Sequence, residues 1–205
     1  MNEELKGLIQ RWPLVKHISL PPDSIILVVG SYTGLGMELL NEMFSPSRII
    51  GFDPQRWALD EATIRLQARN YHNFTLFNFG LGFENATYPM GEWHTDACSF
   101  INVGEGSRQQ GTGSIRDANE VLRILKLPLI DLMVMNIEGF EFTLLPYLKA
   151  TGWIDKIDRL AVQWHLGLGD EPKSYDDIAD CIDRLEEYGM RLEYDERPAW
   201  TLSVR

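Results

Sequence analysis

The chain has 205 residues, enough for one domain with a large core and short for two. Apolar residues make up 44% and charged residues 24%, an ordinary globular balance, and the formal charge is −11. So acidic a surface repels phosphate backbones and anionic membrane faces, so neither nucleic acid nor a membrane is an expected partner.

Leu5, Leu8, Ile9 and Trp12 share one face of an expected amphipathic helix over 2–12, closed by Pro13. With the loop at Pro21-Pro22-Asp23, residues 1–22 read as an N-terminal helix and linker. Residues 24–29 are a continuous apolar run, the pattern of a strand buried on both faces of a parallel sheet. A glycine turn and a helix with Met37, Leu39, Leu40 and Met43 come next. Strand 48–52, helix 56–69 and strand 74–77 complete a β-α-β-α-β order with short connections, the signature of a doubly wound α/β domain.

Residues 79–116 hold seven glycines and no sustained period, and read as a long substrate or lid loop. Regular pattern returns with helix 117–126, strand 130–136, helix 140–150, strand 158–164 and helix 175–188. Strands 190–195 and 200–205 are close enough to form a closing antiparallel hairpin. No apolar stretch nears the roughly 20 residues of a bilayer span. The first residues, MNEELKGLIQRW, lack the apolar core of a signal peptide. Cys98 and Cys181 stand far apart, outside any CxxC pattern. The expectation is a single cytoplasmic domain over 1–205 with both thiols reduced.

The turn after the first strand is VVGSYTGLG, with Gly30, Gly34 and Gly36. Ligands of open α/β sheets sit at the carboxyl ends of the strands, where strand order reverses, so this turn lines the expected crevice. The spacing is neither GxGxxG nor a P-loop, which weakens both phosphate-binding readings, including a nicotinamide dehydrogenase. Asp53 ends the second strand, where a carboxylate suits the two hydroxyls of a ribose; it would also serve as a helix cap beside Pro54. A glycine turn and a ribose carboxylate without a pyrophosphate fingerprint fit an adenosine compound lacking phosphates, of which S-adenosylmethionine (SAM) is the common one.

GSYTGLG, IIGFDP, FNFGLG, DLMVMNIEGFEFTLLPYL and LAVQWH resemble, in order and spacing, the FkbM-type SAM-dependent methyltransferases over about residues 25–165. The most specific piece is Asn136-Ile-Glu138-Gly139-Phe140-Glu141 followed by Leu144-Leu145. The resemblance implies a class I methyltransferase (Rossmann-like) fold: a seven-stranded sheet of order 3-2-1-4-5-7-6 with strand 7 antiparallel. It implies O-methylation of a hydroxyl on a small molecule, a sugar or a secondary metabolite. By the same resemblance Gly30, Ser31, Tyr32 and Gly34 would meet SAM, Asp53 its ribose, and Phe79 and Gly80 its adenine. Asn136, Glu138 and His165 would face the methyl group, Asn136 also touching the cofactor.

Val28, Asn136 and Gln163 stand where the family carries acids, each removing one negative charge from the expected pocket. That pattern opens a second reading, a weakened methyltransferase fold serving as a binding or partner subunit. For the enzyme, His165 is the candidate base because an imidazole titrates near neutrality. Glu138 would orient that ring or accept the proton itself. Glu141 reads as a carboxylate at the positive end of a helix. Glu92, His94 and Asp96 read as a polar loop rather than a metal site. Magnesium through Glu138 and Asn136 is compatible with the spacing, which does not call for it. Tyr88, Trp93 and Phe100 are candidates for an apolar lid.

Overall fold

A computed structural model describes residues 2–91, 98–100, 111–168 and 172–205. In chain order, α1 (Glu3–Arg11) and a 3-10 turn (Pro13–His17) lead into β1 (Ser24–Val29), α2 (Leu35–Met43), β2 (Ser47–Phe52), α3 (Arg56–Ala68) and β3 (Phe74–Phe77). Then come β4 (Gly80–Gly82), β5 (Ala86–Met90), β6 (Gly111–Asp117), α4 (Ala118–Leu125) and β7 (Leu132–Met135). The chain ends with α5 (Glu141–Ala150), β8 (Arg159–Gln163), α6 (Tyr175–Glu186), β9 (Arg191–Glu196) and β10 (Trp200–Val204).

The continuous apolar run of β1 is explained by burial on both faces, because strand side chains alternate. Leu27 and Val29 pack with Ile50, Met133, Leu144 and Trp164. Ile26 and Val28 pack on the other face with Leu14, Met37, Leu40 and Trp200. β1 pairs in parallel with β2 on one side and β7 on the other. Strand order therefore reverses between β1 and β7, and a crevice opens at their carboxyl ends. The sheet closes through β10, antiparallel to both β8 and β9.

The large sheet has seven strands in the order β3-β2-β1-β7-β8-β10-β9. It departs from the expected numbering because β4, β5 and β6 enter between its third and fourth strands. These three form a second sheet, order β4-β6-β5, with β4 parallel and β5 antiparallel to β6. The long loop expected over 79–116 is thus corrected where the structure describes it. Gly113 shows why its composition misleads. A Cβ there would lie 2.3 Å from Met90 Sδ and 2.8 Å from Pro54 Cβ. The glycine lets β6 close onto β5 and onto the chain after β2.

Candidate functional site

The turn after β1 is shaped by its neighbours. Gly30 has φ +84°, and a Cβ there would lie 1.9 Å from the Asn136 carbonyl oxygen at the end of β7. Only glycine fits between the two strand ends. Tyr32 takes φ +44°, and its N–H donates to Asp53 Oδ2 at 2.8 Å. The Gln55 N–H donates to Asp53 Oδ1 at 2.9 Å. Asp53 is 4% exposed. Burial pushes its carboxyl up to about 6, against the pull of those two amides.

On the other side of β1, the Asn136 N–H donates to the Val29 carbonyl at 3.0 Å. The Asn136 Oδ1 is buried and accepts no hydrogen bond from the described residues. The chain then turns sharply into α5, with φ +51° at Glu138 and +96° at Gly139. Glu141, fully buried, accepts from the Gly139 N–H at 2.9 Å and from the His165 N–H at 2.6 Å. The same Glu141 Oε1 lies 3.1 Å from His165 Nδ1, and Glu138 Oε1 lies 3.1 Å from His165 Nε2. Burial disfavours a charged ring here, but the hydrogen bonds and charges of Glu138 and Glu141 outweigh it and raise His165 to about 9.

Between these two strand-tip groups lies a cleft partly open to solvent. Gly30, Tyr32, Asp53, Gly80, Asn136 and Glu138 line it. Sequence reasoning missed its apolar wall of Leu81, Met90, Ile137 and Phe140, joined by Cys98. The alternation of β4 and β5 was the available signal, masked by their glycines and Pro89. Phe100 also lines the cleft, and Tyr88 meets its ring edge-on at 6.2 Å. Glu92, Trp93, His94 and Asp96 lie outside the described residues.

Several of the expected site residues lie away from the described lining of the cleft. Ser31 turns beneath the turn, its Cβ 3.0 Å from where a Gly51 Cβ would stand, and does not line the cleft. Gly34 caps α2, and Phe79 packs its ring at a tilt against Phe52 and Phe77; neither lines it. Val28 sits in the apolar core and Gln163 lies opposite Trp200 in the sheet, so only Asn136 among the three changed acid positions borders the cleft. His165 stands behind Glu138 with both ring nitrogens facing carboxylates, leaving no free lone pair to take a proton. Glu141 begins α5 as expected, but its side chain is spent on His165 and Gly139. Among the described residues no group of three His, Cys, Asp or Glu side chains is placed to hold a metal ion. No described helix is long and apolar enough to cross a membrane.

No protein-family model matches the sequence, and no curated protein matches it significantly. Solved structures match in fold. Precorrin-6y C5,15-methyltransferase of Geobacter metallireducens gives a TM-score of 0.54 at 11% identity, covering 95% of this chain and 85% of its own. A SAM-dependent methyltransferase of Aquifex aeolicus gives 0.52 at 14% identity, covering 98% and 95%. Magnesium protoporphyrin IX methyltransferase of Synechocystis, solved with bound SAM, gives 0.52 at 12% identity, covering 98% and 77%. At these identities the likeness is one of fold, the α/β fold of SAM-dependent methyltransferases.

Proposed function

We propose that the protein is a SAM-dependent methyltransferase of FkbM type, acting on a hydroxyl of a small molecule. The observation that carries this reading is the crevice itself. At the switch point of a methyltransferase-like sheet it holds a buried carboxylate at the tip of β2 and, at the tip of β7, a buried amide oxygen with no partner among the described residues.

These groups fit the cofactor. Each Asp53 oxygen accepts one backbone N–H and keeps a lone pair for a ribose hydroxyl. Gly80 and Pro54 border the space beside it, where a flat base would lie. Asn136 Oδ1 would accept from the methionine ammonium. Bound SAM contributes an electrophilic methyl group, and the protein does the rest. The apolar wall of Leu81, Met90 and Phe140 excludes water from the acceptor. Glu138, the member of the His165 cluster that reaches the cleft, takes the proton of the acceptor hydroxyl. His165 holds Glu138 in place.

Asn136, an amide where the family has an acid, favours a second reading: a fold retained to bind a partner rather than to catalyse. Calorimetric titration with SAM and S-adenosylhomocysteine (SAH), with NAD as control, separates the two. Micromolar binding of the first two supports the enzyme and justifies screening sugar and polyketide hydroxyls. No binding at millimolar cofactor refutes it and directs the search to protein partners.

A further inference from the structure

We infer that Glu138 is the carboxylate that recognises positive charge in the cleft, and that His165 and Glu141 are positioning residues built to hold it there. The inference rests on the methyltransferase reading, under which the recognised charge is the sulfonium of SAM, and loss of that charge on transfer favours product release.

The geometry of the cluster sets its charge. A neutral imidazole has one N–H and can donate to one carboxylate; the other would face a lone pair. Here carboxylate oxygens stand 3.1 Å from each ring nitrogen, an arrangement that calls for an imidazolium. Two carboxylates and one imidazolium sum to a single negative charge. Glu141 is sealed in the core and its oxygens are satisfied by Gly139 and His165. The net charge therefore faces the cleft through Glu138, the one member of the three that lines it.

Glu138 is also fixed with unusual care. Its backbone is in the left-handed region, at φ +51°, which a non-glycine residue adopts at a cost. Its carbonyl accepts from Ser99 Oγ at 2.7 Å. Its Oε1 is held by His165, and no described residue hydrogen-bonds its Oε2. No Lys or Arg is among the described lining residues to compete for it. A carboxylate anchored by one oxygen at the wall of a partly apolar cleft is arranged to meet a cation.

SAM and SAH differ by one methyl group and one positive charge, so the ratio of their affinities reads this contact without any acceptor. Calorimetry on the whole chain compares wild type with Glu138→Gln and Glu138→Asp. The wild type should prefer SAM. Glu138→Gln should weaken SAM on the order of tenfold and leave SAH within about twofold, because a single desolvated charge pair is removed. Glu138→Asp, which keeps the charge on a shorter arm, should retain part of the preference. Equal losses for both ligands in a variant folded by circular dichroism overturn the inference and leave the methyltransferase reading standing. Failure of the wild type to bind either ligand sinks both. Should the variants not fold, the wild-type affinity ratio still decides. A wild type that binds SAH as tightly as SAM rejects the contact.

Discussion

Two buried carboxylate sites flank β1 at its carboxyl end, and they hold their charge by different means. Asp53, on the β2 side, is met among the described residues by the backbone amides of Tyr32 and Gln55, and burial lifts it to about 6. Glu141, on the β7 side, has an amide at Gly139 and, in addition, the imidazole of His165, which stays protonated up to about 9. Backbone dipoles alone leave a buried carboxylate close to neutralisation. A carboxylate set against an internal cation depends instead on that partner.

The largest expected effect breaks the second site. Glu141→Ala leaves a buried imidazolium with one partner and strands the N–H groups of Gly139 and His165. Unpairing a buried ion of this kind costs about 3–5 kcal/mol. Glu138→Ala, at the cleft surface, should cost about 1 kcal/mol, closer to an ordinary hydrogen bond. Urea unfolding of both variants checks this. A loss below about 1 kcal/mol for Glu141→Ala would show that the cluster is not a coupled unit.

This difference between the sites bears on what a sequence exposes. The central strands of the large sheet are legible because Ile26 to Val29 and Leu132 to Met135 are apolar on both faces, a demand their own residues record. β5 and β6 are not. Pro89, Gly111 and Gly113 read as loop residues, and Gly113 answers to Met90 and Pro54, contacts set only by the folded chain. In the site, Asp53 draws notice by following the second strand at the switch point, while Asn136 and Glu138 are singled out by the resemblance of their motif. The turn of Ser31 away from the cleft is not, nor is the reach of Glu141 to His165, 24 residues on. Periodicity tells which face a residue occupies, not which neighbour it meets.

A pH series sharpens the comparison, because both sites make stability fall as pH rises, in separate windows. Asp53 has a folded value of about 6, above its ordinary 3.8, so the folded chain binds that proton more tightly. Its favourable contribution is full below about pH 4 and lost as pH rises through 6. His165 is raised from 6.5 to about 9, so its contribution is full below 6.5 and lost as pH rises through 9. Each window amounts to about 3 kcal/mol. Urea midpoints from pH 4 to 10 should show two descending steps. His165→Gln should flatten the upper one alone; an upper step that survives that substitution would assign it to another group.

The smallest expected effect separates what the two sites recognise. Asp53→Asn leaves one acceptor oxygen where there were two, and its amide hydrogens must face the N–H of Tyr32 or Gln55. Ribose is common to SAM and SAH, so both should weaken together, by about tenfold, about the value of one charge-assisted hydrogen bond. The ratio of their affinities should stay at the wild-type value. Glu138→Gln should do the reverse, shifting the ratio while leaving SAH nearly untouched. If Asp53→Asn shifts the ratio instead, the β2 carboxylate acts on the sulfonium through the field of the cleft. The division between a site that reads the shared ribose and one that reads the transferable charge would then dissolve.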